Sequence, residues 1–254
     1  MNIDALLTVR TGSKRLTNKC FLKFGKYNVL EHCIARCLDE NIKPIICTTN
    51  LKNDNIFSQY AKKNNIRLFR GSEKNKIKRW NDCCKLLKLK KFHTIDVDDP
   101  FFDPKAIRSS LKQLKFADLV LPSYISRNGS ASEGYSFTNI GIEKLYLSLF
   151  KYKFKSIDNF DTEMIDEFIK DKQIKKISFE GMKYQIKQKT RLTLDYKEDY
   201  IFLSKIINNF EYSTSREKIN NFIRKNYEIQ KINLFLNDKW KKKQNKFNLK
   251  LNKL

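Results

Sequence analysis

At 254 residues the chain is long enough for one large domain or a domain with an appendage, and its 41% hydrophobic and 13% aromatic content excludes wholesale disorder. Its 52 Lys+Arg against 28 Asp+Glu leave a formal charge of +24, which points to anionic partners: nucleic acid, an acidic membrane surface or phosphorylated small molecules. No stretch approaches the ~18 uninterrupted apolar residues of a membrane-spanning helix, and no basic segment precedes an apolar signal core, so a soluble, cytoplasmic protein is expected.

Apolar runs of strand length alternate with longer helical patterns from the start. The run IDALLTV (3–9) predicts a buried strand, followed by a loop that carries Arg10, Lys14, Arg15, Lys19 and Lys23. Apolar residues at helical spacing through Leu30, Cys33, Ile34, Cys37 and Leu38 predict a helix over 29–40. A second buried strand follows at 43–49. Asn53 or Asp54 then stands where a cap belongs for a helix through Ile56, Phe57, Tyr60 and Ala61. A short strand at 66–70 closes on Gly71-Ser72, a helix spans about 74–90, and a fourth strand, FHTIDV (92–97), runs into an acidic cluster. Beyond it come a strand at 117–123, a polar loop over 127–136, helices near 140–150 and 160–171, and strands at 174–179 and 190–195. An amphipathic helix over 196–210 follows. From residue 211 the pattern weakens to one more helix and a basic tail, Lys239 to Leu254, with seven lysines and no acid. A division into residues 1–210 and 211–254 is therefore expected.

Strand, helix, strand, helix at this spacing implies parallel strands joined by right-handed crossovers, an α/β sandwich whose ligands bind beyond the carboxyl ends of its strands. The basic loop follows the first strand and the acidic cluster follows the fourth, so both are expected on one crevice. In the loop, Gly12 allows close backbone approach, Ser13 offers a hydroxyl, and Arg10, Arg15 and Lys19 offer charge-assisted donors suited to a polyphosphate. The spacing excludes a P-loop, and a merely solvated basic loop is the competing reading. The cluster DVDDPFFDP places Asp96, Asp98, Asp99 and Asp103 within eight residues. Such carboxylates repel unless a cation or nearby bases neutralise them, and hard oxygens of this kind suit Mg²⁺. Asp103, just before Pro104, reads as a helix cap. Asp195 ends the late apolar run RLTLD and is equally placed to cap the helix after it. The six cysteines (20, 33, 37, 47, 83 and 84) include no Cys-x-x-Cys pair, and His32 and His93 are the only histidines, so reduced, buried thiols are expected rather than zinc.

These segments together carry a resemblance. The stretch VRTGSKRLTNKCFLKFGKYNVLEH resembles the opening signature of the cytidylyltransferases that activate acidic sugars, closest to the branch known for spore-coat polysaccharide biosynthesis. Leu30-Glu31-His32, the turn Arg70 to Glu73, the element Asp98 to Pro104 and the late element Arg191 to Asp199 match that branch in order and spacing. The likeness covers roughly residues 3–210. It departs where the family has Pro-Gly and this chain has Thr17-Asn18, a position at which asparagine tolerates a left-handed backbone. It departs again where the family places acids and this chain has Asn75 and Lys78, with Arg79 retained.

The resemblance implies a three-layer nucleotide-diphospho-sugar transferase fold, Rossmann-like, with a mostly parallel sheet. It implies transfer of CMP from CTP to an acidic sugar with release of pyrophosphate, in surface polysaccharide or glycan precursor synthesis. Arg10, Gly12, Ser13, Arg15 and Lys19 would bind the nucleotide, with Lys19 and Arg15 as the catalytic cations. Asp98 and Asp195 would share Mg²⁺, and backbone groups from Leu7 to Arg10 would read cytosine. Relatives often form homodimers, so a homodimer is left open. The rival readings are a nucleic-acid-binding module on an inactive scaffold and a transferase using another nucleotide. Nucleic acid is the weaker reading, because the lysines are not interleaved with aromatics and the acidic cluster would repel a phosphate backbone.

Overall fold

The computed structural model describes residues 3–13, 15–126, 133–170, 172–184 and 190–239. Lys14, most of the polar loop expected at 127–136, and the tail beyond Lys239 lie outside the described residues.

Among the described residues the main sheet has seven strands, built around β1 (Ile3–Thr8), which pairs in parallel with β4 (Ile42–Thr49) and β6 (Lys91–Asp96). The short strands β2 (Lys23–Phe24) and β3 (Tyr27–Asn28) form a separate hairpin. The order is β5-β4-β1-β6-β8-β7-β9, with β5 Arg67–Gly71, β7 Leu119–Leu121, β8 Ser136–Thr138 and β9 Lys176–Ser178. Strand β8 runs antiparallel to both β6 and β7; the other pairings are parallel. The side chains of β1 and β4 divide between two apolar layers, Ala5, Leu7 and Ile46 entering one and Leu6, Ile45 and Cys47 the other. Continuous apolar strands are what a sheet covered on both faces requires.

Helices α1 (Val29–Asp39), α2 (Phe57–Lys63), α4 (Pro104–Gln113), α6 (Lys197–Ile207) and α7 (Arg216–Lys225) cover the first layer, and α3 (Lys76–Leu86) and α5 (Asn139–Ser148) the second. The crossovers through α1 and α2 pack on one face and the crossover through α3 on the other, so the order of the sheet reverses between β1 and β6. Open α/β sheets bind their ligands at that switch point.

Local chemistry explains most helix starts. Asn28 accepts from the Glu31 N–H at 2.8 Å while Glu31 accepts from the Asn28 N–H, a reciprocal cap that begins α1. Asp103 caps α4 with Pro104 at its first position, as expected. The helix expected from Asn53 or Asp54 instead opens as a 3-10 turn, Lys52–Ile56, because the buried Asp54 carboxylate faces Thr11 and Thr49 rather than its own helix. Among its described residues, the segment expected as a helix over 160–171 contains only the 3-10 turn Ile165–Glu167. Thr162 is spent on the start of α3, donating its N–H to Lys74 O and accepting from Ile77 N–H, which holds the backbone extended. Residues 190–195 form no strand either. Their polar groups find other partners: Leu194 N–H donates to Asp98 O, and Asn233 and Gln230 take Arg191 O and Thr190 Oγ1.

Residues 211–239 join the same core. Ile219 and Ile223 of α7 pack in the layer that holds α1 and α6, and Phe222 meets Phe210 edge-on.

Candidate active site

A cavity of about 460 Å³ opens at the ends of β1 and β6. Arg10, Gly12, Ser13, Arg15, Lys19 and Asp98, all expected at a site from sequence, line it. A Cβ on Gly12 would meet nothing within 4 Å, so this stretch of loop faces open space. The loop is pinned at its start by Asp54, which accepts from both the Thr11 N–H at 2.8 Å and its hydroxyl at 2.7 Å. Asn18, at φ 53°, is left-handed and starts a 3-10 turn, Lys19–Phe21, that buries Cys20. Asparagine at that point lets the loop reverse and aims the Lys19 side chain back at the acidic cluster.

Lys19 Nζ lies 2.5 Å from Asp98 Oδ2 and 3.0 Å from Asp195 Oδ1, and Arg15 Nη2 lies 2.6 Å from the same Asp195 oxygen. The two carboxylates expected to share a cation are thus brought together, and a lysine ammonium bridges them. Burial opposes the charge on Lys19, yet the attraction of Asp98 and Asp195 outweighs it and holds the pKa above the ordinary lysine value. Burial likewise pushes Asp98 up, and Lys19 pulls it below its usual range. Asp195 is steadied from behind. Buried Arg191 grips both oxygens of Asp199 at 2.8 and 3.1 Å and reaches Asp195 Oδ2 at 3.3 Å. The matched element Arg191 to Asp199 is therefore a bidentate clamp that sets one carboxylate in place.

The acidic turn is clamped through its backbone. His32 Nε2–H donates to Pro100 O at 3.2 Å, Arg36 Nε to Phe102 O at 3.0 Å, and Arg216 to Phe101 O. This gives the histidine of the Leu30-Glu31-His32 match a physical role. Asp96, Asp98 and Asp99 each offer an oxygen, all within 4.8 Å of one another. Asp99 Oδ1 is buried without a hydrogen-bond partner, and burial, then Asp98 and Asp96, push that carboxyl well above its usual pKa. A compact set of hard oxygens with one orphaned acceptor fits a small divalent cation.

On the opposite wall the resemblance marks Glu73 and Arg79, but the sequence does not single out Lys76 or Glu163. Lys76 Nζ lies 2.8 Å from Asp96 and 3.9 Å from Glu163, and 5.2 Å over the Trp80 ring. Glu163 reaches Arg10 at 3.5 Å across the cavity mouth. Arg79 donates to Ser72 O at 2.7 Å and Glu73 O at 3.2 Å, closing the turn that precedes α3. A signal was present. The first turn of α3 holds Lys76, Lys78 and Arg79 and no acid, against the helix dipole, so an anion had to be nearby.

A model of the cytidylyltransferase family matches residues 5–229. The chain belongs to the cytidylyltransferase family. It is a CTP-using nucleotidyltransferase by that membership. It is 26% identical over 247 residues to an uncharacterized protein of Methanocaldococcus jannaschii, across 92% of this chain and 95% of that one. Its fold is similar to a cytidylyltransferase from Leptospira borgpetersenii, with a TM-score of 0.74, 24% identity, and 91% and 97% of the two chains covered. It is also similar to a CMP:2-keto-3-deoxy-manno-octonic acid synthetase complexed with CTP, with a TM-score of 0.60, 9% identity, and 82% and 99% covered. The mostly parallel sheet is that of the nucleotide-diphospho-sugar transferases.

All six cysteines of this cytidylyltransferase are free and buried, as expected, and burial raises the Cys20 thiol to about 12. Among the described residues no helix is long and apolar enough to cross a membrane.

Proposed function

We propose that this cytidylyltransferase transfers CMP from CTP to a hydroxyl of an acidic sugar, making a precursor for surface polysaccharide or glycan synthesis. One observation carries the reading: Lys19 and Arg15 meet Asp98 and Asp195 at the switch point of the sheet, against a cavity of about 460 Å³. A solved structure of the same fold is a CMP-sugar-acid synthetase holding CTP, which supports an acidic acceptor.

In this reading Arg10, Ser13, Arg15 and Lys19 bind the triphosphate with Gly12 leaving room for it, and Lys19 and Arg15 face the charge that develops as pyrophosphate leaves. The acceptor hydroxyl attacks the α-phosphorus and the bond to the bridging oxygen breaks. Rate then comes mainly from positioning and from fixed charge, since little covalent work falls to the protein. Asp98, with Asp96 and Asp99 beside it and Asp195 across Lys19, would hold Mg²⁺, which when bound neutralises phosphate oxygens and makes a coordinated hydroxyl more acidic.

The test is pyrophosphate release from CTP, UTP and GTP with Mg²⁺ and a panel of sugar acids and neutral sugars. Turnover with CTP and a sugar acid is expected. Turnover only with another nucleotide, or only with neutral acceptors, overturns the corresponding part of the reading.

A further inference from the structure

Asp195 lies buried behind the cavity wall, and both of its carboxylate oxygens are engaged by the protein's own cations. Its Oδ1 takes Arg15 at 2.6 Å and Lys19 at 3.0 Å, its Oδ2 takes Arg191 at 3.3 Å, and Lys19 also holds Asp98 at 2.5 Å. A divalent ion coordinated by both Asp98 and Asp195 would have to stand where the Lys19 ammonium stands. We propose that Lys19 is a built-in counter-ion that bars divalent metal from Asp98 and Asp195 until the phosphates of a nucleotide draw its ammonium away. This inference rests on the reading that those two carboxylates serve a metal-assisted transfer.

The geometry makes Lys19 the cation that can leave. Arg191 is fully buried and fixed by its two bonds to Asp199, so it cannot swing. Arg15 is planar and lies 5.4 Å over the Tyr196 ring, a second hold on its position. Lys19, its side chain 14% exposed, makes its polar contacts through its ammonium, at the end of a four-carbon stem whose torsions can redirect it without moving the backbone. Its main chain stays anchored by the 3-10 turn and buried Cys20. The cavity into which the ammonium would turn is lined by Lys19 itself together with Gly12 and Ser13, the segment suited to phosphate. Metal entry and the transfer of Lys19 to phosphate are then one exchange, and metal and nucleotide raise each other's affinity by linkage.

The experiment is a titration of the full chain with Mn²⁺ and no nucleotide, read by electron paramagnetic resonance. Wild type, Lys19→Met and Lys19→Arg are compared, with thermal melts confirming that each variant is folded. The expected result is Mn²⁺ binding at least about tenfold tighter in Lys19→Met, because one like charge has been removed from the site. Lys19→Arg should bind as weakly as wild type, and Asp98→Asn added to Lys19→Met should abolish the gain. Equal Mn²⁺ affinity in wild type and Lys19→Met overturns the inference. So does wild-type binding of Mn²⁺ alone that is as tight as its binding with CTP, whatever the variants do. CTP binding to the same wild-type sample separates the two claims. If CTP binds and Lys19→Met leaves Mn²⁺ affinity unchanged, this inference alone fails; if CTP does not bind, the functional reading fails and takes it along.

Discussion

Lys19 and Lys76 line one crevice, and each ammonium is clasped by carboxylates, but the surroundings differ. Lys76 rises from the first turn of α3, lies over Trp80, and has a side chain 7% exposed. Lys19 stands on a single 3-10 turn and bridges two segments that no strand pairing joins. One lysine is built into the wall by its ring and helix, and the other, its side chain 14% exposed, is tethered through its ammonium to two carboxylates. A tethered cation can be exchanged for a ligand's charge, whereas a walled cation shapes the pocket and stays. That contrast predicts which substitutions will cost chemistry and which will cost stability.

The largest effect should fall on the exchangeable side. Lys19→Met or Arg15→Ala should lower CTP turnover ten- to a thousandfold with the fold intact, since each removes a charge-assisted contact to the triphosphate. Pyrophosphate release and circular dichroism check both halves, and wild-type turnover in both variants would reduce the basic loop to a solvated face.

Next comes acid. His32, which holds the turn bearing Asp98, and His93 are buried and neutral, with burial lowering their pKa values to about 3 and about 4. The unfolded chain takes up those protons near the ordinary value of about 6.5 and the folded chain does not. Stability is therefore fully present above that pH and is lost as pH falls, toward about 4 for His93 and about 3 for His32, by about 2 kcal/mol for each histidine at pH 5. Urea midpoints at pH 7 and pH 5 check the sign, and an unchanged midpoint would mean that the fold accepts charged imidazoles.

On the walled side, Lys76→Met leaves Asp96 without its main partner. Asp96 keeps 32% side-chain exposure, so the loss should lie between that of an exposed pair and that of a buried one, about 2 kcal/mol. A loss of turnover without a loss of stability would make Lys76 an exchangeable cation like Lys19. The smallest effect belongs to Glu163→Gln. Its side chain is 51% exposed and its contacts are 3.5 and 3.9 Å long, so stability should change by less than about 1 kcal/mol and the KM for CTP by only a few-fold.

The sequence by itself determined the alternation of elements, because a strand buried on both faces must be apolar throughout and an amphipathic helix must repeat near 3.6 residues. It also marked the basic loop with Arg10, Gly12, Ser13, Arg15 and Lys19 and the acidic knot with Asp98, since such clusters are unusual wherever they fall along a chain, while Asp195 was marked only by the family resemblance. Asn18 belongs here too, because its left-handed turn is a local preference of the residue itself.

Tertiary structure alone decided the rest. Thr162 has no intrinsic reason to be extended; its bonds to the start of α3 hold 160–164 out of a helix that local periodicity favours. Asp54 looks like a cap until Thr11, brought beside it by the β1–β4 pairing, offers a better partner. Strand β8 is three residues long and exists because β6 and β7 stand on either side of it. The pairing of Lys19 with both Asp98 and Asp195 likewise has no local cause. Charges so far apart in sequence attract weakly in an open chain, and only the sheet order, the Leu194–Asp98 backbone bond and the Arg191–Asp199 clamp bring them within reach.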